Sequence, residues 1–408
     1  MKGKNFIKAV ITNISMMQIF RQCTRCVLDT TVKSIVFDEN GVCNFCHRYD
    51  IFASETILRE KIIRERDFDK IVDIIKKSGQ NKPYDCILGL SGGVDSSYLA
   101  LVTKDYGLRP LVVHFDNGWN TELAVKNIEN IVNKLGLHLH THVIDWDFFR
   151  NLQVAYLKSS VVDIEVPTDQ LIFASLYKIA KQYGIKFILS GMNVKTEGIL
   201  PEDWHCYRKR DFTNLKNIFL QYGNGKFSNS LCINYYKRLY YEKILSIQNI
   251  APFYYLDFDV EKVKERLICE LSWKPYLHKH YESVFTRFYQ GYILPRKFNI
   301  DKRKAHLSSL IVSGQILRED ALSELNKPTY PLSEQESDKL YIIKKLNLSN
   351  KEFENIMEQP VISHDTFGYD NQKLISRIYT RLVNLYLNLI GYPFGLSMKP
   401  ISKLLNDE

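Results

Sequence analysis

The stretch Cys86-Ile87-Leu88-Gly89-Leu90-Ser91-Gly92-Gly93-Val94-Asp95-Ser96-Ser97 decides the fold of this chain. Its apolar start, 86–90, predicts a buried strand, and the run 96–106 predicts a helix directly after it. Two glycines between them allow a tight turn and a close approach of a ligand to the backbone. Such a turn aims backbone N–H groups and the positive end of the helix at one point, which predicts an anion site. The alternative is an ordinary glycine turn between strand and helix.

The polar residues of this turn suit a phosphate chain that carries a divalent cation. Hydroxyl groups add donors, and the carboxylate of Asp95 is explained if a divalent cation bridges it to phosphate. The turn has no Gly-Lys-Ser/Thr and therefore differs from the Walker loop. It resembles the pyrophosphate-binding loop (PP-loop) of the ATP pyrophosphatase superfamily, whose members cleave ATP to AMP and pyrophosphate. This resemblance implies ATP and Mg²⁺ as ligands, bound by Ser91, Gly92, Gly93, Asp95, Ser96 and Ser97.

Residues 84–193 alternate between strand and helix patterns around this loop. Each predicted helix is followed by a glycine and an aliphatic residue, which is typical of a left-handed C-cap. The alternation predicts an α/β fold with a doubly wound parallel sheet, in which ligands bind at the carboxyl ends of the strands. The predicted strands are 85–90, 110–115, 138–144 and 186–191, and the predicted helices are 95–106, 120–135 and 168–183.

The ends of the second and fourth predicted strands supply further candidate residues. His114 and Asp116 end the second strand, where the superfamily resemblance implies the adenine and ribose site. Asp116 is a candidate ribose or metal contact, or it belongs to a turn in which Asn120 caps the next helix. After the fourth strand, Gly191 lets backbone approach the nucleotide, and Glu197 is a candidate metal ligand or substrate contact.

Four of the eight cysteines form two close pairs near the N-terminus. Their spacing matches a four-cysteine zinc ribbon, with 34–37 as one strand of a small hairpin and 38–41 as its turn. Four thiolates leave no open coordination position, so Zn²⁺ bound there is structural. The alternatives are buried cysteines without metal, or His47 in place of one ligand. The predicted ligands are Cys23, Cys26, Cys43 and Cys46.

Composition and charge limit the class of protein. With 408 residues, 45% hydrophobic and 25% charged, the chain is an ordinary globular protein of two or three modules. A net charge of +9 fits an anionic ligand such as a nucleotide and does not by itself indicate nucleic acid. No apolar run is long enough to span a bilayer, so we expect a cytoplasmic protein without a membrane partner.

The region after residue 200 changes character. Residues 201–298 are rich in aromatic and basic side chains, which bind RNA, stack on a nucleotide-sugar, or pack a helical core. Asp301 precedes a predicted helix whose first turn carries Lys302, Arg303 and Lys304. Cations in that turn oppose the helix dipole, which predicts a bound anion such as pyrophosphate or a sugar phosphate. A solvated run of charge is the alternative.

The cysteine pairs, the PP-loop and the segment 279–310 together resemble the N-acetyl sugar amidotransferases of surface polysaccharide and nonulosonic acid biosynthesis. The resemblance covers about residues 21–360. It implies that ATP activates the N-acetyl group of a nucleotide-activated, UDP-linked sugar and that ammonia converts this group to an acetamidino group. The ammonia is expected from a partner glutaminase with a cyclase-like barrel subunit. The implied catalytic residues are Asp95, Glu197, Lys304 and His306, with His306 either a base for ammonia or a structural residue.

Two other functions stay open. One is a tRNA-modifying PP-loop enzyme with Cys206 as the candidate catalytic cysteine, and the other is a non-catalytic nucleotide-binding scaffold.

Six regions are predicted along the chain. The C-terminal region is expected to contain a helix at 374–389. The regions are an N-terminal extension (1–20), a zinc ribbon (21–50), connecting helices (51–80), the PP-loop domain (81–200), a substrate-binding helical part (201–330) and a helical C-terminal region (331–408).

Overall fold

The computed structural model describes residues 20–206, 208–276 and 281–370. Residues 1–19 of the predicted N-terminal extension and the predicted helix at 374–389 lie outside the described residues. Within them, no helix is both long enough and apolar enough to cross a membrane.

A sheet of parallel strands lies at the centre of the protein, in the order β3-β2-β1-β4-β5. The first four strands confirm the prediction, so the fold is an α/β fold with a doubly wound parallel sheet. The last strand was not predicted and comes from the aromatic-rich region. The strand order reverses beside β1, which is where ligands bind in such sheets. The strands are β1 (Cys86–Gly89), β2 (Pro110–Asp116), β3 (His138–Val143), β4 (Phe187–Leu189) and β5 (Gln248–Ile250).

Helices cover both faces of the sheet, and for this reason β1 consists of buried apolar residues. The predicted left-handed C-caps are confirmed, because Gly107, Gly136 and Gly184 have φ angles of 62°, 62° and 66°. The helix at 146–158 was not predicted. The helices up to β4 are α1 (Asn44–Glu55), α2 (Lys61–Ser78), α3 (Val94–Asp105), α4 (Glu122–Leu135), α5 (Trp146–Lys158) and α6 (Val166–Gln182).

Short helices follow β4 and pack over the carboxyl edge of the sheet. Helix α7 (Val194–Glu197) contacts α12 (Arg303–Val312), and this contact brings a helix that lies more than 100 residues later in the chain to the end of β4. The remaining α-helices are α8 (Phe212–Tyr222), α9 (Tyr235–Leu239), α10 (Val260–Leu271), α11 (Val284–Phe288), α13 (Arg318–Leu325), α14 (Leu332–Lys345) and α15 (Asn350–Glu358). Turns of 3₁₀ or π-helix span Glu202–Trp204, Tyr240–Ile244, Pro252–Tyr254, Tyr289–Phe298 and His364–Phe367.

The cysteine-rich module, residues 21–50, has less regular structure than a zinc ribbon hairpin. The predicted strand at 34–37 is wrong, since only an isolated bridge joins Phe37 to Cys43. The turn is present, because the Gly41 N–H donates to the Asp38 carbonyl over 3.1 Å and Gly41 has a φ of 78°. The second cysteine pair lies at the start of α1, so a helix replaces the second strand.

Candidate active site

The PP-loop between β1 and α3 is held in place by two aromatic residues from a distant part of the chain. The Trp273 indole N–H donates to the Gly92 carbonyl over 2.8 Å, and the Tyr276 hydroxyl donates to the same oxygen over 3.2 Å. Gly92 has a φ of 84°, and a methyl group placed on it would lie 2.8 Å from the Ala124 carbonyl oxygen. The turn therefore requires glycine for its backbone conformation and for the space around it.

Hydroxyl groups and free helix N–H groups surround the start of α3. The Ser91 and Ser96 hydroxyls lie 3.1 Å apart, and the Gly93 N–H donates to Ser91 Oγ over 3.3 Å. Helix α3 begins at Val94, and its first N–H groups have no partner within the helix. Ser97 is fully buried, its hydroxyl has no partner among the described residues, and its contact with phosphate stays a prediction.

Asp95 lies in the first turn of α3 and faces the residues that follow β4. The Asn193 side-chain amide donates to Asp95 Oδ1 over 3.1 Å. A methyl group placed on Gly191 would lie 3.4 Å from the Ser96 nitrogen and 3.5 Å from Asp95 Cβ. The carboxyl ends of β1 and β4 thus meet at Asp95, as the predicted site requires.

The segment 281–284 adds a carboxylate that sequence reasoning missed. Its backbone pairs with the residues after β2, since the Thr121 N–H donates to the Glu282 carbonyl and the Val284 N–H to the Trp119 carbonyl, both over 2.9 Å. A methyl group placed on Gly93 would lie 3.1 Å from Glu282 Oε1. Nothing local in the sequence marks Glu282, because tertiary pairing alone brings it to the loop.

His306 and Glu197 lie on two helices that pack against each other at the end of β4. The Thr196 carbonyl accepts from His306 Nδ1 over 2.9 Å, which places a proton on Nδ1 and fixes the orientation of the ring. Glu197, on α7, has an exposed side chain. The predicted residues Asp95, Gly191, Glu197 and His306 therefore come from segments that converge at one edge of the sheet.

A cavity of about 520 Å³ lies at the end of β2. His114 lines it, but both ring nitrogens are used within the protein, Nδ1 toward the Leu90 carbonyl at 3.1 Å and Nε2 toward the Asn120 amide at 3.2 Å. His114 therefore fixes the strand ends and offers a bound molecule only its ring edge. The lining residues are His114, Asp116, Gly118, Asn120, Val125, Ile128, Glu129, Val132, Asn133, Leu139 and Thr141.

Asp116 forms the turn that shapes this cavity. Its Oδ1 accepts from the Gly118 N–H over 2.9 Å, which is the turn role that the sequence left open. The prediction that Asn120 caps the next helix is wrong. Thr121 is the N-cap of α4, because its hydroxyl accepts from the Ala124 N–H over 3.2 Å, while Asn120 is bonded to His114.

Two families match separate parts of this chain. Residues 85–202 match the family described as "Queuosine biosynthesis protein QueC", and residues 282–382 match "LPS biosynthesis protein WbpG-like, C-terminal domain". The chain joins a QueC-like ATP pyrophosphatase domain to a WbpG-like C-terminal domain. The QueC-like domain contains the PP-loop, and the WbpG-like domain begins at Glu282, beside that loop.

Solved structures share weaker similarity. A predicted subunit of tRNA methyltransferase from Methanocaldococcus jannaschii is 16% identical over 45% of this chain and 75% of its own, with a TM-score of 0.27. NMN synthetase from Francisella tularensis is 15% identical over 53% of this chain and 99% of its own, also with a TM-score of 0.27. No curated protein is a significant match.

Two cations of the basic turn in the WbpG-like domain pair with acidic residues of the protein. Arg303 pairs with Asp301 over 2.7 Å and donates to the carbonyls of Glu324 and Lys327. The Lys304 ammonium lies 2.6 Å from Asp29 of the cysteine-rich module. Arg303 and Lys304 thus each have an acidic partner within the protein, which favours a structural use of their charge, and anion binding by this turn stays a prediction.

Lys304 also belongs to an interface that fixes the cysteine-rich module on the WbpG-like domain. The Arg318 guanidinium donates to the carbonyls of Cys26 and Cys23, and the Val27 N–H donates to Ser308 Oγ over 3.3 Å. Asp29 is almost fully buried in this interface. Lys304, predicted as catalytic, takes part in this interface through Asp29, and its catalytic role stays a prediction.

The four predicted metal ligands form one compact cluster. All four cysteines are buried and reduced, and their sulfur atoms lie within 4.8 Å of one another. Neighbouring sulfurs are 3.7 to 3.9 Å apart, which matches the edge of about 3.8 Å expected for four sulfurs at about 2.3 Å from Zn²⁺. His47 lies outside the cluster and pairs with Asp38 over 2.9 Å, so it is a surface histidine. The donor set therefore fits a structural zinc ion.

Proposed function

We propose that this protein is an ATP-dependent, AMP-forming amidotransferase that acts on the N-acetyl group of a nucleotide-activated sugar, in lipopolysaccharide, capsule or nonulosonic acid biosynthesis. The observation that carries the proposal is the pairing of segment 281–284 with residues 119–121. Through it the WbpG-like domain begins beside the PP-loop of an ATP pyrophosphatase domain. A lipopolysaccharide-related domain at that position supports a sugar as the second substrate.

In this proposal the PP-loop holds the two outer phosphates of ATP. Backbone N–H groups at the start of α3 and the hydroxyls of Ser91 and Ser96 are the donors, and the cavity at the end of β2 receives adenosine. Mg²⁺ would be held by Asp95, with Glu282 close to Gly93 as a second carboxylate. The cation offsets the repulsion that these carboxylates would otherwise exert on triphosphate.

The reaction then follows in two steps. The acetamido oxygen attacks the α-phosphorus of ATP, the bond to the β-phosphate oxygen breaks, and pyrophosphate leaves. Ammonia attacks the imidate carbon of the adenylated sugar, and AMP leaves with the former acetamido oxygen. Activation is needed because an amide oxygen is a poor leaving group. The protein contributes position and charge stabilisation, and the oriented His306 ring is a candidate to receive a proton at Nε2.

Ammonia is expected from a partner, a glutaminase with a cyclase-like barrel subunit. Three of the four cysteines outside the metal cluster are buried and do not support a glutaminase nucleophile in this chain. Burial raises the pKa of Cys206 to about 11 and that of Cys232 to about 12, and it also raises the pKa of Cys86. Thiols with raised pKa values are weak nucleophiles near neutral pH. The same property of Cys206 disfavours a tRNA-thiolating enzyme.

An isotope experiment tests the proposal. The purified protein is incubated with ATP, ammonium chloride and a UDP-linked diacetamido sugar whose acetamido oxygen is ¹⁸O. We expect sugar-dependent AMP that carries one ¹⁸O atom, measured by mass spectrometry. A parallel reaction with total tRNA tests the alternative enzyme. AMP without ¹⁸O, AMP that forms only with tRNA, or no AMP with any acceptor would contradict the proposal.

A further inference from the structure

A recess of charged residues opens where α6 begins, at the same edge of the sheet as the PP-loop. The Lys209 ammonium lies 3.3 Å from Asp163 and 3.0 Å from Asp169. Lys302 and Glu165 lie close to these residues. Burial lowers the pKa of Lys302, whereas the nearby carboxyl groups of Asp163, Glu165 and Asp169 raise it. We name these five residues the α6 recess.

The α6 recess is enclosed by protein yet accessible. Asp169 and Lys209 keep 34% and 32% of their side-chain surfaces exposed. Burial nevertheless dominates the electrostatics, because it is the largest influence on the pKa values of Lys209, Glu165 and Lys302. Groups that are surrounded by protein but still reached by solvent line a concave site, which is the shape that a small ligand requires.

Glu165 is incompletely bonded at this site. The Thr286 hydroxyl donates to its Oε2 over 3.0 Å, whereas its buried Oε1 has no partner among the described residues. A buried acceptor without a donor is unfavourable, and in a native structure it needs an explanation such as a missing ligand. Burial, with Asp169 nearby, raises the pKa of Glu165 to about 7.

The charges of the recess do not balance when Glu165 is ionised. Among the described residues of the recess, three carboxyl groups then face two lysines, Lys209 and Lys302. Burial lowers the pKa of His205, and it lowers the pKa of His364 to about 4, so neither histidine adds positive charge near neutral pH. The Tyr289 hydroxyl donates to the Val162 carbonyl over 2.6 Å and stays neutral because burial raises its pKa. With Glu165 ionised, a donor that carries positive charge would both bond Oε1 and balance the third carboxylate.

One short segment connects the recess to the PP-loop. Glu282 lies beside Gly93, and Thr286, four residues later and in the first turn of α11, donates to Glu165. Four residues of chain span at most about 14 Å, so a molecule bound at the recess lies close to a substrate held at the loop.

We propose that the α6 recess binds the nitrogen nucleophile as ammonium and that Glu165 is the base that removes its proton. This inference rests on the proposed function, which requires ammonia at this edge of the sheet. Ammonium donates one N–H to Glu165 Oε1, and the carboxylate takes that proton. The resulting ammonia attacks the imidate carbon with its lone pair, and AMP leaves with the electrons of the broken carbon–oxygen bond.

The test separates nitrogen delivery from adenylation. Sugar-dependent exchange of labelled pyrophosphate into ATP reports the first step, and amidino product reports both. For Glu165→Gln we expect exchange within about threefold of wild type. Amidino product from ammonium chloride should fall by at least about 100-fold, in the range of a lost general base. Hydroxylamine, which is largely uncharged near neutral pH, should restore most of the product in Glu165→Gln. The matched control is Glu336→Gln, because Glu336 is exposed.

A second variant keeps the carboxylate and changes its pKa. The hydrogen bond from Thr286 lowers the pKa of Glu165, so Thr286→Val should raise it and move the acidic limb of ammonium-dependent product formation to higher pH. The ratio of variant to wild-type rates at each pH cancels the changing supply of ammonia. The inference is overturned if Glu165→Gln forms product from ammonium at the wild-type rate, if hydroxylamine gives no rescue, or if Thr286→Val leaves the pH profile unchanged. If wild-type protein shows no sugar-dependent exchange, the proposed function itself fails.

Discussion

Helices α3 and α12 both begin at a turn with the sequence features of an anion site, but their surroundings differ. At α3 the donors are backbone N–H groups and serine hydroxyls, and the two aromatic side chains that contact the loop donate to the Gly92 carbonyl. At α12 the cations Arg303 and Lys304 pair with Asp301 and Asp29. The donors at the start of α3 point to a place where a ligand can bind. At the start of α12, Lys304 instead connects the WbpG-like domain to the cysteine-rich module.

The difference shows what each kind of signal measures. A Gly-Gly turn between strand and helix fixes backbone direction locally, so its geometry follows from adjacent residues. A run of basic residues indicates only that negative charge lies nearby. Acidic residues of the protein itself can provide that charge as well as a bound anion can. Asp29 lies 275 positions before Lys304, and no local pattern joins the two.

The largest effect should follow loss of the metal site that supports the second turn. Replacement of Cys26 and Cys46 together by serine removes two ligands of the cluster and should unfold the cysteine-rich module. Structural zinc sites contribute about 10 kcal/mol or more in binding free energy. We expect a large drop in melting temperature and loss of AMP formation, because this module holds Lys304 and Tyr49 packs against Gly198 beside α7. A melting temperature of the double variant equal to that of the wild type would contradict this expectation. Cys269→Ser is the control, because Cys269 is exposed.

The next effect concerns the first turn. Asp95→Asn keeps the shape of the side chain but removes the charge that would hold Mg²⁺. AMP formation should fall by about 100- to 1000-fold, comparable to the loss of one essential electrostatic group in an active site. The matched control is Asp105→Asn at the other end of α3, where the carboxylate pairs with Arg266 on the surface. If both variants form AMP at the same rate, the charge of Asp95 is not needed for the reaction, and Asp95 is not part of the active site.

The fold was largely predictable from the sequence, and the site was predictable where it is local. Strands β1, β2 and β4 follow from apolar runs, β3 follows from its alternating pattern after a glycine cap, and Asp95 follows from the loop itself. Strand β5 is only three residues long and lies among aromatic residues, so no alternation marks it. Glu282 and Trp273 reach the loop only through tertiary packing, and the pairing of Lys304 with Asp29 could not be predicted because Asp29 lies in another module.

A smaller effect distinguishes charge pairing from anion binding at the second turn. Lys304→Met removes the partner of the nearly fully buried Asp29 and should lower the free energy of unfolding by about 3 kcal/mol, measured by urea denaturation. The KM for ATP should stay unchanged. Adding Asp29→Asn should recover part of the loss, since it removes the unpaired charge. A raised KM for ATP with unchanged stability would instead restore the anion interpretation.

The smallest effect tests how the first turn keeps its shape. Trp273→Phe removes the N–H that bonds the Gly92 carbonyl but retains most of the buried ring. A single hydrogen bond contributes about 1 kcal/mol, so the KM for ATP should rise about fivefold while kcat changes little. Trp204→Phe is the matched control, because the buried Trp204 indole N–H has no partner among the described residues. If both variants raise the KM equally, ring packing rather than the hydrogen bond orients the loop, and the contrast between the two helix starts would lose this support.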